Sequence, residues 1–254
     1  MENRISKTQI DRLGDRLRIG NITDADLRLL DEYRRSFTEA YDVVAGTIRR
    51  ELQLEPTGRP AKSTTSIAEK LRRESIRLTQ IQDIAGCRLI VPEIANQEHV
   101  VASLVELLTA TAVIDRRQKP SHGYRAVHIV ATIDGKAVEI QVRTALQQVW
   151  AELSEKLSDL IDPAIKYGGG EEDIKELLSE LSVTIAEQET NESRVLQMQR
   201  NVDAMLSTPG LTEGLRADII DHQGQLASFK ADLGTRRQNV LDILERFNRR
   251  FEDK

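Results

Sequence analysis

The chain reads as an α+β protein: a central mixed β-sheet of about five strands with packed helices, a helical N-terminal flank and a C-terminal helical hairpin. Three observations lead there. Apolar residues recur at helical spacing from Leu27 to Ile48, short runs of β character cluster between Gly86 and Val142, and seven-residue apolar spacing returns beyond Trp150.

Asn21-Ile-Thr23-Asp24-Ala-Asp26 has the form of a helix start, with Thr23 accepting from exposed backbone N–H groups and Asp26 reaching back. Leu27, Leu30, Phe37, Tyr41, Val44 and Ile48 then predict one long amphipathic helix, ending before Pro56-Thr-Gly58. Gly86–Val91 is a short β run, followed after Pro92 by a helical segment carrying Val100, Val101, Leu104, Leu107 and Leu108. Ala126–Ile133 and Ala137–Val142 are joined by Asp134-Gly135, a two-residue hairpin signal because Gly accepts positive φ. The core therefore reads β-α-β-β-β. Ile174, Leu177, Leu178, Leu181 and Ile185 form one helical stripe. After the break at Ser207-Thr-Pro209-Gly210 comes a second, Ile219, Leu226, Leu233 and Val240, with Phe229, Ile243 and Phe247 in the alternate positions. This predicts an antiparallel helical hairpin that either covers the sheet or serves self-association. The divisions expected are 1–55 for the N-terminal flank, 56–168 for the core and 169–254 for the hairpin.

Composition narrows the class. The 254 residues suffice for a real core, and 4% aromatic content with 14 Gly and 6 Pro excludes collagenous and low-complexity readings. No apolar run approaches the ~20 residues of a membrane span, and the charged opening Met1–Arg18 argues against a signal peptide, so a cytoplasmic protein with no membrane partner is expected. Cys87 is the single cysteine, which removes an internal disulfide or cysteine-cluster zinc site. The net charge of -5 hides a basic stretch: nine cations lie from Arg49 to Arg88, with four acids before Asp83.

Four segments carry residues suited to phosphate chemistry. On Val138–Arg143, alternation sends Val138, Ile140 and Val142 to the core and Glu139, Gln141 and Arg143 to the other face, either as a solvent-facing polar row or as a cleft lining. Asp83 stands just ahead of a strand, and Gly86 permits close backbone approach; two carboxylates plus substrate phosphates are the usual equipment for Mg²⁺. Between Arg116 and His128 a loop gathers Arg116, Arg117, Lys119 and Arg125 around Tyr124, suiting either base stacking or a buried hairpin-entry tyrosine. Finally, Gly58–Arg73 is a hydroxyl-rich helix entrance followed by cations, without P-loop spacing, yet physically able to take polyphosphate.

Together these segments resemble the RelA/SpoT-type alarmone synthetase domain. The resemblance rests on Arg59, Lys62, Ser66, Lys70 and Arg73, on Gln82-Asp83-Ile-Ala-Gly86-x-Arg88, on Gly123-Tyr124-Arg125-x-x-His128, and on Glu139-Ile-Gln141-x-Arg143-Thr144 followed by Trp150-Ala151. It covers roughly Leu27 to Lys166 and implies a nucleotidyltransferase-like synthetase fold. The implied activity is transfer of the β,γ-diphosphate of ATP to the 3′-hydroxyl of GDP or GTP, releasing AMP and making (p)ppGpp.

By similarity, Asp83 and Glu139 are the catalytic pair and bind Mg²⁺. Arg59, Lys62, Ser66, Lys70 and Arg73 hold ATP, and Tyr124, Arg125, His128, Gln141 and Arg143 hold the acceptor or its phosphates. No His-Asp pair of the family's hydrolase domain occurs among His99, His122, His128 and His222, so a small synthetase-only member is expected, assembled as a homo-oligomer through its flanking helices. The chain departs from the family pattern in three places. The Arg59–Ser66 spacing is one residue longer, Ser154-Glu155 replaces the usual Glu-His, and the Arg116–Lys119 loop has unfamiliar wording. Ser154-Glu155 and the basic residues Arg116, Arg117 and Lys119 keep open a toxin-type relative, with or without an antitoxin partner, that pyrophosphorylates the tRNA 3′-CCA end or adenine nucleotides; the other alternative is a degenerate nucleotide sensor, against which the retention of both Asp83 and Glu139 argues.

Overall fold

The computed structural model describes residues 5–249, apart from the side chains at 110, 111, 247 and 248, so the Phe247 position of the C-terminal stripe and both chain ends lie outside the description. The chain divides into two compact units. The first takes the residues up to Leu89 together with Val100–Ile114 and Val127–Val142. The second takes Ile90–His99, Asp115–Ala126 and everything from Arg143 onward.

In the first unit, α1 (Lys7–Ile19) opens with a Ser6–Gln9 capping box and buries Ile10, Leu13 and Leu17. Its Arg18 side chain donates to the carbonyls of Leu71 and Ile76, which ties α1 to the end of α4 (Thr64–Arg73). The expected cap at Thr23 is present, with Asp26 returning the bond.

The single long helix expected from Leu27 to Ile48 is instead two, α2 (Asp24–Arg35) and α3 (Thr38–Thr47), the latter continuing into a π turn at Ile48–Leu52. The break has an identifiable cause. Ser36 Oγ donates to the Tyr33 carbonyl and accepts from Lys136 Nζ, while the Tyr33 and Phe37 rings meet edge-to-face at 5.2 Å beneath the same ammonium. A serine hydroxyl that captures a nearby carbonyl competes with the helical ladder, and the cation over two rings holds the turn in place.

Five strands form one mixed sheet in the order β1-β2-β5-β4-β3: β1 (Thr57–Arg59), β2 (Ala85–Val91), β3 (Ala110–Asp115), β4 (Val127–Ile133) and β5 (Lys136–Thr144). Between β2 and β3 runs α5 (Ile94–Leu107). The β4–β5 hairpin pairs Val127 with Val142 through to Ile133 with Lys136, and Asp134 and Gly135 take φ of 49° and 75°, as a two-residue turn of this hand requires. Val138, Ile140 and Val142 are fully buried, as the alternation implied.

β1 has no counterpart in the sequence reading, which placed Gly58-Arg59 at a helix entrance. It pairs antiparallel with β2 in the register Gly58↔Cys87 and Arg59↔Gly86. A Cβ at Gly58 would fall against Gly86 O and 2.5 Å from Cys87 Cα, so only glycine allows this strand to close on its neighbour.

The second unit is helical. α6 (Ala145–Leu160) begins at a Thr144–Gln147 capping box, and α7 (Glu172–Leu206) and α8 (Glu213–Arg249) follow. Contacts Gln188–Leu233 and Gln223–Asp203 run in opposite senses along α7 and α8, which makes them the expected antiparallel hairpin, reversed near Gly210 at φ 84°. Its core joins Trp150, Leu153 and Leu157 of α6 to Leu178 and Ile185 of α7 and Leu244 of α8. Ile219 and Leu233 are buried as the seven-residue stripe implied, but Phe229 and Ile243 are exposed, because the covered face is narrower than the pattern. No described helix is long and apolar enough to cross a membrane.

The Gly58 contact gives a stability prediction. Gly58→Ala forces a methyl group against backbone atoms that cannot rotate away, and should cost about 1–3 kcal/mol in equilibrium urea unfolding. A variant with an unchanged urea midpoint would mean that β1 does not pack as described.

Candidate functional site

The first unit gathers its polar groups around one cavity of about 460 Å³, lined by Arg59 of β1, Lys62, Asp83, Gly86 and Arg88 of β2, and Glu139 and Gln141 of β5. Local folding places each of them. Ser63 caps α4 by accepting from Ser66 N, so Lys62 stands just before the helix and Lys70 two turns inside it. Lys62 N donates to Ile84 O, and its carbonyl accepts from Arg34 Nε of α2, which pins this stretch between a helix and the start of β2.

Both lysines converge on one carboxylate. Lys62 Nζ lies 2.8 Å from Asp83 Oδ2 and Lys70 Nζ 2.9 Å from Oδ1, with the Asp83 side chain 18% exposed. Burial pushes the Asp83 pKa up, but the charges of Lys62 and Lys70 and their hydrogen bonds outweigh it, so the net shift is downward. Glu139 follows the same rule with different partners. His128 Nδ1 lies 2.9 Å from Oε1 and Gln141 Nε2 donates to Oε2 at 2.8 Å. Burial raises its pKa, the hydrogen bond and charge of His128 and then the Gln141 bond lower it, Asp83 opposes them, and the net direction is again down.

Gly86 lets β2 approach β5, since a Cβ there would lie 3.0 Å from Glu139 O. Cys87 also lines the cavity, but burial pushes its thiol up to about 12, so it stays protonated and offers no nucleophile. What remains is a pair of ionised carboxylates beside the cations Arg59, Lys62, Lys70 and Arg88. Such a set can neutralise and align a polyphosphate, with no group suited to a covalent intermediate.

The donor set suits Mg²⁺: hard oxygen ligands, kept ionised, and too few to form a closed cage. Among the described residues no group of three or more His, Cys, Asp or Glu side chains is placed to hold a metal, so a cation here would take its remaining ligands from substrate and water.

The sequence-derived candidates therefore separate. Arg59, Lys62, Asp83, Glu139 and Gln141 line the cavity, and Lys70 and His128 stand one bond behind its two carboxylates. Ser66 is bound into the α4 cap, and Arg73 pairs with Glu74 at the far end of that helix. Arg88, quoted in the motif but assigned no role, belongs among the lining residues. Its signal was the two-residue spacing from Gly86, which puts both on one face of β2.

Tyr124, Arg125 and Arg143 belong to the second unit. Arg143 is buried, donating from Nη1 to Gln148 and from Nη2 to the Tyr124 hydroxyl at 2.9 Å, with its guanidinium 5.0 Å from that ring. The Tyr124 ring also faces Trp150 at 6.4 Å, so this tyrosine is half-buried against protein groups. Gly123, at φ 86°, has no room for a Cβ against Trp150, and its carbonyl accepts from Ser182 Oγ of α7. Arg117 of the basic loop is held by Asp115 and Gln97.

Residues 58–158 match a family model described as a region found in RelA / SpoT proteins. An uncharacterized protein of Mycobacterium tuberculosis is 34% identical over 132 residues, 51% of this chain and 48% of its own. GTP pyrophosphokinase YwaC of Bacillus subtilis is 33% identical over 121 residues, 41% of this chain and 58% of its own. The chain thus spans about half the length of the curated relatives it matches. The crystal structure of small alarmone synthetase 1 from Bacillus subtilis is similar with a TM-score of 0.52 at 26% identity, covering 70% of this chain and 100% of that one.

The charge pairs predict an acid-dependent stability. Carboxylates with lowered folded-state pKa stabilise above the ordinary carboxylate range, and that contribution disappears as pH falls through the lowered values. The urea midpoint should fall between about pH 6 and about pH 3. Asp83→Asn should flatten the slope and lose on the order of 1–3 kcal/mol at neutral pH, since it leaves two ammonium groups without their anion. A wild-type slope in the variant would show that Asp83 is not the source.

Proposed function

We propose, from the match of residues 58–158 to the region found in RelA / SpoT proteins, that this chain acts as a RelA/SpoT-type small alarmone synthetase and transfers the β,γ-diphosphate of ATP to the 3′-hydroxyl of GDP or GTP. The observation that carries this reading is a single cavity that sets two carboxylates with lowered pKa, Asp83 and Glu139, beside Arg59, Lys62 and Arg88, with Lys70 bonded to Asp83 and His128 to Glu139 from behind.

In this reading Lys62 and Lys70 exchange Asp83 for ATP phosphates, joined by Arg59 and, from the end of α4, Arg73. Ser66 keeps the helix entrance in position through its cap bonds. Glu139, kept ionised, takes the proton of the 3′-hydroxyl, and His128 and Gln141 hold its two oxygens in place. The acceptor oxygen bonds to the β-phosphorus as the bond from that phosphorus to the α-bridging oxygen breaks, and AMP leaves with the bridging oxygen. Mg²⁺ held by Asp83 and Glu139 would neutralise charge on the transferred oxygens. Tyr124, Arg125 and Arg143 are assigned to the acceptor on their motif match. Self-association through the C-terminal helices finds support in exposed apolar side chains there, Ile220, Phe229 and Ile243 among them.

The tRNA alternative has less support, since Arg117, one of the three loop cations that would draw a polyanion, is neutralised by Asp115. The experiment offers labelled ATP and Mg²⁺ with GDP, GTP, GMP, ADP and deacylated tRNA in parallel. Labelled GDP or GTP is the expected outcome, with Glu139→Gln slower by about 10²-fold or more. Label on tRNA alone would establish the toxin-type reading instead, and label on none of them would leave a nucleotide sensor.

A further inference from the structure

The second unit contains a buried carboxylate that the proposed reaction does not use. Glu189 lies on α7, outside residues 58–158, and is 3% exposed. Its Oε1 accepts from Thr144 Oγ1 at 2.8 Å and from Gln147 Nε2 at 2.7 Å, the two residues that form the capping box of α6. Its Oε2 has no hydrogen bond and faces Arg125 Nη2 at 3.6 Å. Gln147 is further fixed by Gln97, and Gln97 by Arg117, so that the cluster joins α5, the loop before β4, α6 and α7. Burial raises the Glu189 pKa, only partly offset by Thr144, Arg125, Gln147 and Arg117.

We infer that Glu189 is a positioning residue that sets the side chain of Arg125 for the acceptor nucleotide. A group buried for packing alone would be apolar, because an acid here costs desolvation and answers Arg125 with only a loose pair. Its geometry addresses one target. Oε1 fixes the carboxylate to the start of α6, and that leaves Oε2 directed at the guanidinium of the Gly123-Tyr124-Arg125 segment. A second anchor on the same helix, Ser182 Oγ to Gly123 O at 2.7 Å, holds the backbone two residues away. α7 thereby sets both the main chain and the cation of a motif that the family resemblance assigns to the acceptor. The inference rests on that assignment.

The test compares steady-state constants for GDP and GTP and for ATP in wild type, Glu189→Gln, Arg125→Ala and the double variant. Gln retains the oxygen that Thr144 meets and loses the charge that faces Arg125. Glu189→Gln should raise KM for GDP or GTP about tenfold with KM for ATP within about twofold, and should add nothing in the Arg125→Ala background. Equal effects on both substrates, or additive effects in the double variant, would reduce Glu189 to a structural residue and overturn the inference. If Arg125→Ala raises the acceptor KM while Glu189→Gln does not, the inference fails and the acceptor assignment stands. If Arg125→Ala leaves the acceptor KM unchanged, the assignment fails and takes the inference with it. Should Glu189→Gln not fold, Glu189→Asp keeps the charge but withdraws it from Arg125. It should raise the acceptor KM by a smaller factor, and an unchanged value would overturn the inference.

Discussion

A carboxylate taken out of water keeps its charge only where donors meet its oxygens, and each compact unit is organised around that requirement. In the first, Asp83 has one lysine for each oxygen and Glu139 has His128 and Gln141, all at 2.8–2.9 Å. At that range charge-assisted bonds outweigh desolvation and the acids stay ionised. In the second, Glu189 has two neutral donors on one oxygen and a cation at 3.6 Å from the other, beyond hydrogen-bond reach. Desolvation then prevails and the pKa moves the opposite way. A difference of less than an ångström in the distance to the nearest cation accompanies opposite directions of pKa shift.

These distances depend on backbone approach. β2 lies between β1 and β5, and Gly58 and Gly86 are the two positions at which a side chain would push those strands apart. Asp83 precedes β2 and Glu139 sits on β5, so the spacing of their partners follows from the sheet. The helical flank acts in the same direction. Arg34 holds the Lys62 carbonyl and Arg18 the carbonyls beyond Lys70, so α1 and α2 help to place both lysines although they lie outside the matched region.

Features with short-range causes were legible without tertiary information. The Thr23–Asp26 cap and the Asp134-Gly135 hairpin are bonds across two or three residues, and their chemistry is written in adjacent letters. The break between α2 and α3 was not, because its cause includes Lys136, one hundred positions away from Ser36. β1 was missed because three residues containing a glycine carry no alternation, and its identity as a strand comes from its partner. Arg88 was within reach of simple two-residue periodicity, whereas Glu189 looked like one more polar position on a long helix.

By itself, the sequence determined the α+β class, the hairpin and the C-terminal helix pair, since local periodicity and turn chemistry suffice for these, while Lys62, Lys70, Asp83, His128, Glu139 and Gln141 came together as a candidate set through the resemblance of their motifs to a known family. Tertiary structure alone decided which cation meets which carboxylate, that Arg143 is buried beneath Tyr124, and that Glu189 faces Arg125. Each of those joins side chains 13 to 64 positions apart, and the sign of a buried acid's pKa shift follows from distances that no interval along the chain encodes.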